Sequence, residues 1–383
     1  MEMKLLLDLR PLQGETKYHG IGRVTKELVW RLSGIAQFEI IYLFSSLRCE
    51  DILNLQNITK EREIKREFFD YDNFSSYYDI FLKKPTNYLK IWKNYELLFE
   101  YKISQVNPDF YFLFYFFDWM NPTSLGKINK SSKTLCMAYD LIPYIFSDSY
   151  LKELYVREFY KHKFSEIHLA DFYFAISKNT KKDLINIANI PDEKIEVTYL
   201  GYDSKFRPLD EYEKKIWKEK LRDKIKLKKD FILYNPSGAD ERKNINRLIK
   251  AFSLLPEKIK ENYCLVLTSK IDNDVKFSIK QYADSVGVGD NLIITDYVTD
   301  DELVALYNLC KLFVYPSLYE GFGLPVVEAM ACNAPVIGSY SSAVTEIIVE
   351  KDALFDPYNE NEISEKIYNA LSNTKFLNFL IQN

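Results

Sequence analysis

Histidine is scarce in this sequence: His19, His162 and His168 are the three in 383 residues. Transition-metal catalysis leans on imidazole ligands, so a histidine-built metal centre is not expected. The five cysteines, Cys49, Cys136, Cys264, Cys310 and Cys332, are odd in number, scattered and never spaced as CxxC. That spacing argues against a disulfide framework or a zinc ribbon, and the five read as reduced, mostly buried thiols. Neither sign of charge dominates, since 51 basic against 55 acidic residues leave a net charge of -4. A nucleic-acid binder needs a basic footprint, and the totals supply none. Long hydrophobic runs are missing too. The apolar start ends at Leu7, before Asp8 and Arg10, too early for a secretion signal. The aromatic run Phe110–Phe117 falls well short of the ~20 residues of a membrane span. The sequence reads as a soluble, cytoplasmic protein with no fixed-period repeat.

What is present is enough apolar material for sizeable cores: 47% hydrophobic against 28% charged residues. Short runs rich in β-branched and aromatic residues alternate with helical patterns. One series holds Leu5–Leu7, Glu39–Phe44, Phe110–Phe116, Leu135–Tyr139 and Phe172–Ile176. A second holds Phe231–Tyr234, Leu265–Thr268, Leu292–Ile294, Leu312–Tyr315 and Val336–Gly338. Near-continuous apolar strands between helices indicate parallel sheets covered on both faces. The fold class is therefore α/β, with two Rossmann-like domains. Between the series, residues 211–230 are charge-dense and read as an exposed helix after a crossover. The boundary is placed so that residues 1–203 form one domain and 204–383 the other. Open parallel sheets bind ligands at the carboxyl ends of their strands, and a deep cleft between two such domains is the default site.

The most informative stretch runs from Tyr319 to Ala331, after the strand ending near Tyr315. Gly321 and Gly323 free the backbone, and Pro325 suits the first turn of a helix, where its missing N–H costs nothing. Backbone N–H groups and the helix dipole there suit an anion. Glu320 on the loop and Glu328, eight positions on, in the first helical turn could face one ligand. A carboxylate is a double acceptor suited to sugar hydroxyls; Glu328 could equally be a carboxylate placed for the helix dipole. Arg242 and Lys243 precede an amphipathic helix marked by Ile245, Leu248, Ile249 and Phe252. Two cations at a helix start are repelled by its dipole and make sense beside an anion. A solvated charge pair is the plainer alternative.

The Glu320-to-Glu328 stretch resembles the EX7E signature of family-4 retaining glycosyltransferases of GT-B fold. The similarity continues through Ala175-Ile176-Ser177-Lys178, Leu200-Gly201-Tyr202-Asp203, Ala334–Gly338 and Ala353–Pro357, nearly the whole chain. The resemblance implies that Glu320 faces the donor sugar and Glu328 the nucleotide ribose. The backbone at Gly321, Phe322, Gly323 and Leu324 would face the diphosphate, together with Arg242 and Lys243. Some relatives carry an earlier arginine, where this chain has Ser237 and Gly238. Gly20 and Gly22, in Tyr18-His19-Gly20-Ile21-Gly22-Arg23, correspond to a glycine loop lying against donor phosphate and acceptor, before a helix over Val24–Leu32. His19 there is a polar contact or a plain loop residue. Tyr139-Asp140 stands where many relatives have His-Asp at the reaction centre. Tyr139 could hydrogen-bond a sugar, and Asp140 either orients the acceptor or fixes its loop. Tyr297-Val298 matches the nucleobase shelf, with Val298 against the donor.

By this resemblance the reaction needs no cofactor and no metal. The donor is a nucleotide-diphosphate sugar, a GDP-sugar of mannose or a related hexose first and a UDP-sugar second. The acceptor is a growing surface glycan or a lipid-linked saccharide. A nucleotide-sugar epimerase and a non-catalytic companion subunit are the rival readings. Relatives usually continue into a helix crossing back to the first domain, so a longer polypeptide is expected beyond Asn383. Asp70-Tyr71-Asp72 and Asp272-Asn273-Asp274 match a DxD metal pattern weakly. Thr299 with Glu302 reads as a capping box. Lys83, Lys84, Lys90 and Lys93 with Tyr88, Ile91 and Trp92 leave two readings: peripheral contact with an anionic membrane, or a solvated helix face.

Overall fold

The computed structural model describes residues 3–13, 20–35, 37–45, 65–69, 85–118, 121, 123–126, 132–236, 238–269 and 271–382. The chain divides into two compact units, residues 1–199 and 200–383, a division four residues before the one read from the sequence.

The first unit holds β1 (Met3–Asp8), β2 (Phe38–Ser45), β3 (Lys65–Phe69), β4 (Phe110–Leu113), β5 (Lys133–Ala138), β6 (Phe172–Ala175) and β7 (Ile195–Val197). They pair in the order β3-β2-β1-β4-β5-β6-β7, every pair parallel. The second unit holds β8 (Asp230–Tyr234), β9 (Tyr263–Thr268), β10 (Leu292–Thr295), β11 (Leu312–Tyr315), β12 (Val336–Ser339) and β13 (Leu354–Phe355). Their order, β10-β9-β8-β11-β12-β13, repeats that of the first unit's leading six strands. Both are doubly wound sheets whose strand order reverses once, between β1 and β4 and between β8 and β11. Loops leaving adjacent strands there part in opposite directions and open a crevice at the strands' carboxyl ends.

Parallel strands buried on both faces explain the apolar runs: β8, β9, β11 and β12 are almost wholly buried. The helix Ile245–Ser253 turns Leu248, Ile249 and Phe252 into the second core. The charge-dense segment forms the helix Glu211–Ile225, started by an Asp210–Glu213 capping box. It is less exposed than expected, because Leu221 anchors it in the core. Thr299 and Glu302 do form a capping box, at the start of the helix Asp300–Leu309. Among the described residues no helix is long and apolar enough to cross a membrane.

The first unit also buries charge. Trp92, expected at a basic-aromatic surface, is fully buried; its ring meets Phe159 edge-on at 5.1 Å and its Nε1–H donates to Glu96 at 2.9 Å. That removes one aromatic from the membrane-contact reading. Lys83 and Lys84 lie outside the described residues. Lys163 Nζ donates to Glu96 Oε1 at 2.7 Å and to the Thr123 carbonyl, and His162 Nε2 lies 2.8 Å from Glu96 Oε2. Burial pushes the Glu96 carboxyl up, but Lys163 and His162 outweigh it and hold it at about 2. Breaking a buried pair leaves one charge uncompensated. Lys163→Ala is therefore expected to destabilise the protein by about 3–5 kcal/mol, read as a shift in the denaturant midpoint; a midpoint within error of wild type refutes it.

Candidate active site

The loops after β8 and β11 leave the second sheet at its point of reversal. They bring together residues 77 positions apart in sequence. The loop after β8 ends in a tight turn, Glu241–Lys243, before the helix Ile245–Ser253. Asn244 between them adopts a left-handed backbone, φ 59°. Its side-chain amide donates to the carbonyls of Pro316 and Pro357, at 3.0 and 2.7 Å. The Arg242 carbonyl accepts from the Leu318 amide at 2.7 Å. These bonds seat the basic pair against the loop that carries Glu320.

Lys243 Nζ donates to Glu320 Oε1 at 2.8 Å, and Arg242 Nη1 lies 2.8 Å from Glu320 Oε2. Arg242 also pairs with Asp240 through Nε at 3.1 Å and donates to the Tyr319 carbonyl at 3.0 Å. Lys243 is 4% and Glu320 8% exposed, so the solvated-pair alternative does not describe Lys243. Burial raises the Glu320 carboxyl, yet Lys243 and Arg242 more than offset it and hold it at about 2. Glu320 is therefore an anion at neutral pH and no proton donor.

Serines at and after the end of β12 hold the same loop. The Glu320 amide donates to Ser342 Oγ at 2.8 Å, Ser341 Oγ donates to the Leu318 carbonyl, and Ser339 Oγ to the Ser317 carbonyl. Tyr234 at the end of β8 donates to the Lys243 carbonyl at 2.7 Å, with Ser317 Oγ 3.2 Å away. None of these was singled out from the sequence; the serine contacts span 22 or 23 residues and leave no periodic trace.

Gly323 caps the helix Leu324–Ala331 with φ 122°, a backbone reserved for glycine, and Pro325 sits in the first turn. Glu328 is the fifth residue of that helix and lies past its first turn, where the sequence reading had put it. The Glu328 carboxylate is 4% exposed and accepts from the Tyr307 hydroxyl at 3.2 Å. Gly321 and Phe322 are buried beside it. At the end of β10, Tyr297 is exposed while Val298 packs on the core.

In the first unit the helix starts at Gly20 and runs to Leu32, so Gly20 and Gly22 belong to its first turn and not to a loop before it. Tyr18 and His19 lie outside the described residues, as do Asp70, Tyr71, Asp72 and Ser237. The Tyr139 hydroxyl is closed off from solvent and lies towards Thr25 of that helix. Burial pushes the phenol well up, so it stays protonated. Asp140 Oδ1 accepts from the Ile142 amide at 3.0 Å, the loop-fixing contact among its two expected roles. Asp272 and Asp274 are exposed. The described residues that could jointly hold a metal ion are instead Glu96, His162 and Glu166, where Lys163 already supplies a cation.

Residues 217–383 match the family described as Glycosyl transferases group 1. The second unit is a group 1 glycosyltransferase domain. Beyond that domain, the chain is 32% identical to the serotype-specific mannosyltransferase WbdA of Escherichia coli, over 98% of this chain and 44% of that one. It is 30% identical to the O-antigen chain mannosyltransferase B of Escherichia coli, over 56% of this chain and 55% of the relative. The chain thus spans less than half the length of the WbdA protein it matches. The Anabaena Alr3699/HepE structure, solved in complex with UDP and glucose, superposes with a TM-score of 0.68 at 16% identity, covering 100% of this chain and 93% of that one. That likeness establishes the GT-B fold of two Rossmann-like units. The transferase domain carries its buried ion triad at its sheet's point of reversal, where nucleotide ligands of doubly wound sheets bind.

Proposed function

We propose that this chain is a retaining glycosyltransferase that moves a hexose, mannose first, from a GDP-sugar onto a growing surface glycan or lipid-linked saccharide; a UDP-sugar is the second choice of donor. The observation that carries the reading is the Arg242–Lys243–Glu320 triad in a group 1 glycosyltransferase domain. The mannose preference rests on the WbdA and O-antigen relatives, both mannosyltransferases.

In this reading Arg242 and Lys243 take up the charge that accumulates on the departing diphosphate, in a site already organised for it. The bond from the sugar's anomeric carbon to the diphosphate breaks, and an acceptor hydroxyl attaches from the same face. The acceptor's proton passes to an oxygen of the leaving phosphate. Glu320, fixed as an anion, holds the donor sugar, and Glu328 the ribose. Tyr139, protonated at neutral pH, could exchange hydrogen bonds but not act as a base. The two cations and the backbone amides replace a metal ion.

Nucleotide is expected to stabilise the fold with EDTA present. At 100 times its dissociation constant GDP should add about 2.7 kcal/mol, read from thermal melts with GDP, UDP and ADP in parallel. Turnover lost to EDTA and restored by Mg²⁺ or Mn²⁺ would overturn the metal-free reaction. Nucleotide binding without transfer to any saccharide would favour the companion-subunit reading.

A further inference from the structure

Glu328 reaches its position through a second side chain. Tyr307, on the helix Asp300–Leu309, is fully buried, and its hydroxyl donates to Glu328 Oε2 at 3.2 Å. The same hydroxyl accepts from the side-chain amide of Asn235, also at 3.2 Å. Asn235 is the first residue after β8, so the chain Asn235–Tyr307–Glu328 starts on the loop that leads to the basic pair. The Tyr307 ring cannot swing away. It meets Phe313 edge-on at 5.4 Å and Phe206 at 6.0 Å, and any other rotamer would displace core side chains packed at solid-like density.

We propose that Tyr307, oriented by Asn235, is a positioning residue that aims the Glu328 carboxylate at the ribose hydroxyls of the donor nucleotide. The inference rests on the ribose reading of Glu328 given above. A phenol that accepts from an amide is left with its single proton to give, and that proton goes to the carboxylate. Burial and the neighbouring Glu328 charge both push the phenol up, so it remains a donor at neutral pH. One carboxylate oxygen held in this way sets the direction of the other. A rotatable glutamate becomes an acceptor of fixed geometry, which lowers the ordering cost when a diol binds.

The test is a cycle between protein and ligand, on the full chain, with GDP and 2′,3′-dideoxy-GDP as probes. Tyr307→Phe keeps the ring and removes the proton. It is expected to weaken GDP about tenfold, the scale of a hydrogen bond to a charged group. It should leave the affinity for dideoxy-GDP within about twofold, and kcat at saturating donor should change less than KM. Equal losses for the two nucleotides would overturn the proposal, because the tyrosine would then be acting on the fold and not on the ribose contact. If Tyr307→Phe does not fold, Asn235→Ala is read in the same cycle. A greater loss for GDP than for dideoxy-GDP supports the chain, and equal losses overturn it. Wild-type protein that binds both nucleotides equally would instead refute the ribose reading of Glu328, and this inference with it.

Discussion

Lys243→Ala is expected to cut turnover at saturating donor by roughly 10²–10³-fold, the cost of removing one preorganised donor from developing charge. From the sequence alone this substitution is expected to damage catalysis more than folding. The structure adds a folding cost of its own, because Lys243 is 4% exposed and bonded to a buried carboxylate at 2.8 Å. Its loss leaves Glu320 with Arg242 as its one paired cation, and broken buried pairs cost about 3–5 kcal/mol. The two effects separate by experiment. Melting curves give the stability loss, and single-turnover rates well below the variant's melting temperature give the catalytic one. Near-wild-type turnover in folded Lys243→Ala protein would remove the lysine from the reaction.

Glu320→Gln should slow the chemical step by ~10²-fold while tightening the binding of GDP, the two changes running in opposite directions. The amide keeps the shape and loses the charge, so Lys243 and Arg242 lose the anion they share, and Arg242 keeps Asp240, until a diphosphate supplies another. In the wild type the nucleotide must compete with Glu320 for both cations; in the variant it does not. The rate falls because the sugar loses a carboxylate whose contact strengthens as positive charge develops on the ring. Acid sensitivity provides a second readout. The folded Glu320 carboxyl is held at about 2, below the ordinary carboxylate value of 4.5. Its stabilisation is therefore present above pH ~4.5 and lost as pH falls towards 2. Glu320→Gln should be less stable at pH 7, with the gap closing through that window. Weaker GDP binding in Glu320→Gln would mean that the carboxylate supports the nucleotide and does not oppose it.

The central strands were legible because burial on both faces writes a continuous apolar run: Leu5–Leu7, Phe231–Tyr234 and Leu312–Tyr315 all lie within strands. Of the edge strands, β10 was legible as Leu292–Ile294 and the other three were not. β3 reads Lys-Arg-Glu-Phe-Phe, β7 has 3 residues and β13 has 2, too short or too charged to stand out. Glu320 on its loop, Gly323 at a positive φ and Pro325 in a first turn follow from local chemistry, and each sits where residue type predicts. Glu328 was put in the first turn and falls just past it, because the helix already starts at Leu324 and makes Glu328 its fifth residue. The ion triad joins residues 77 apart and the Tyr307–Glu328 bond spans 21. Such pairings belong to topology, and no spacing rule along one chain reports them.

Asn244 has a consequence for anyone rebuilding this site. Its one amide group ties the segments after β8, β11 and β13 into a single plate, and its left-handed backbone, φ 59°, suits few residues besides glycine and aspartate. A chimera that replaces residues 236–244 with a segment lacking asparagine at position 244 would sever both of the bonds that hold the plate. Exchanging Tyr297 and Val298 touches neither of them. The segment after β10 is thus exchangeable on its own, while the basic pair travels only with all three loops together.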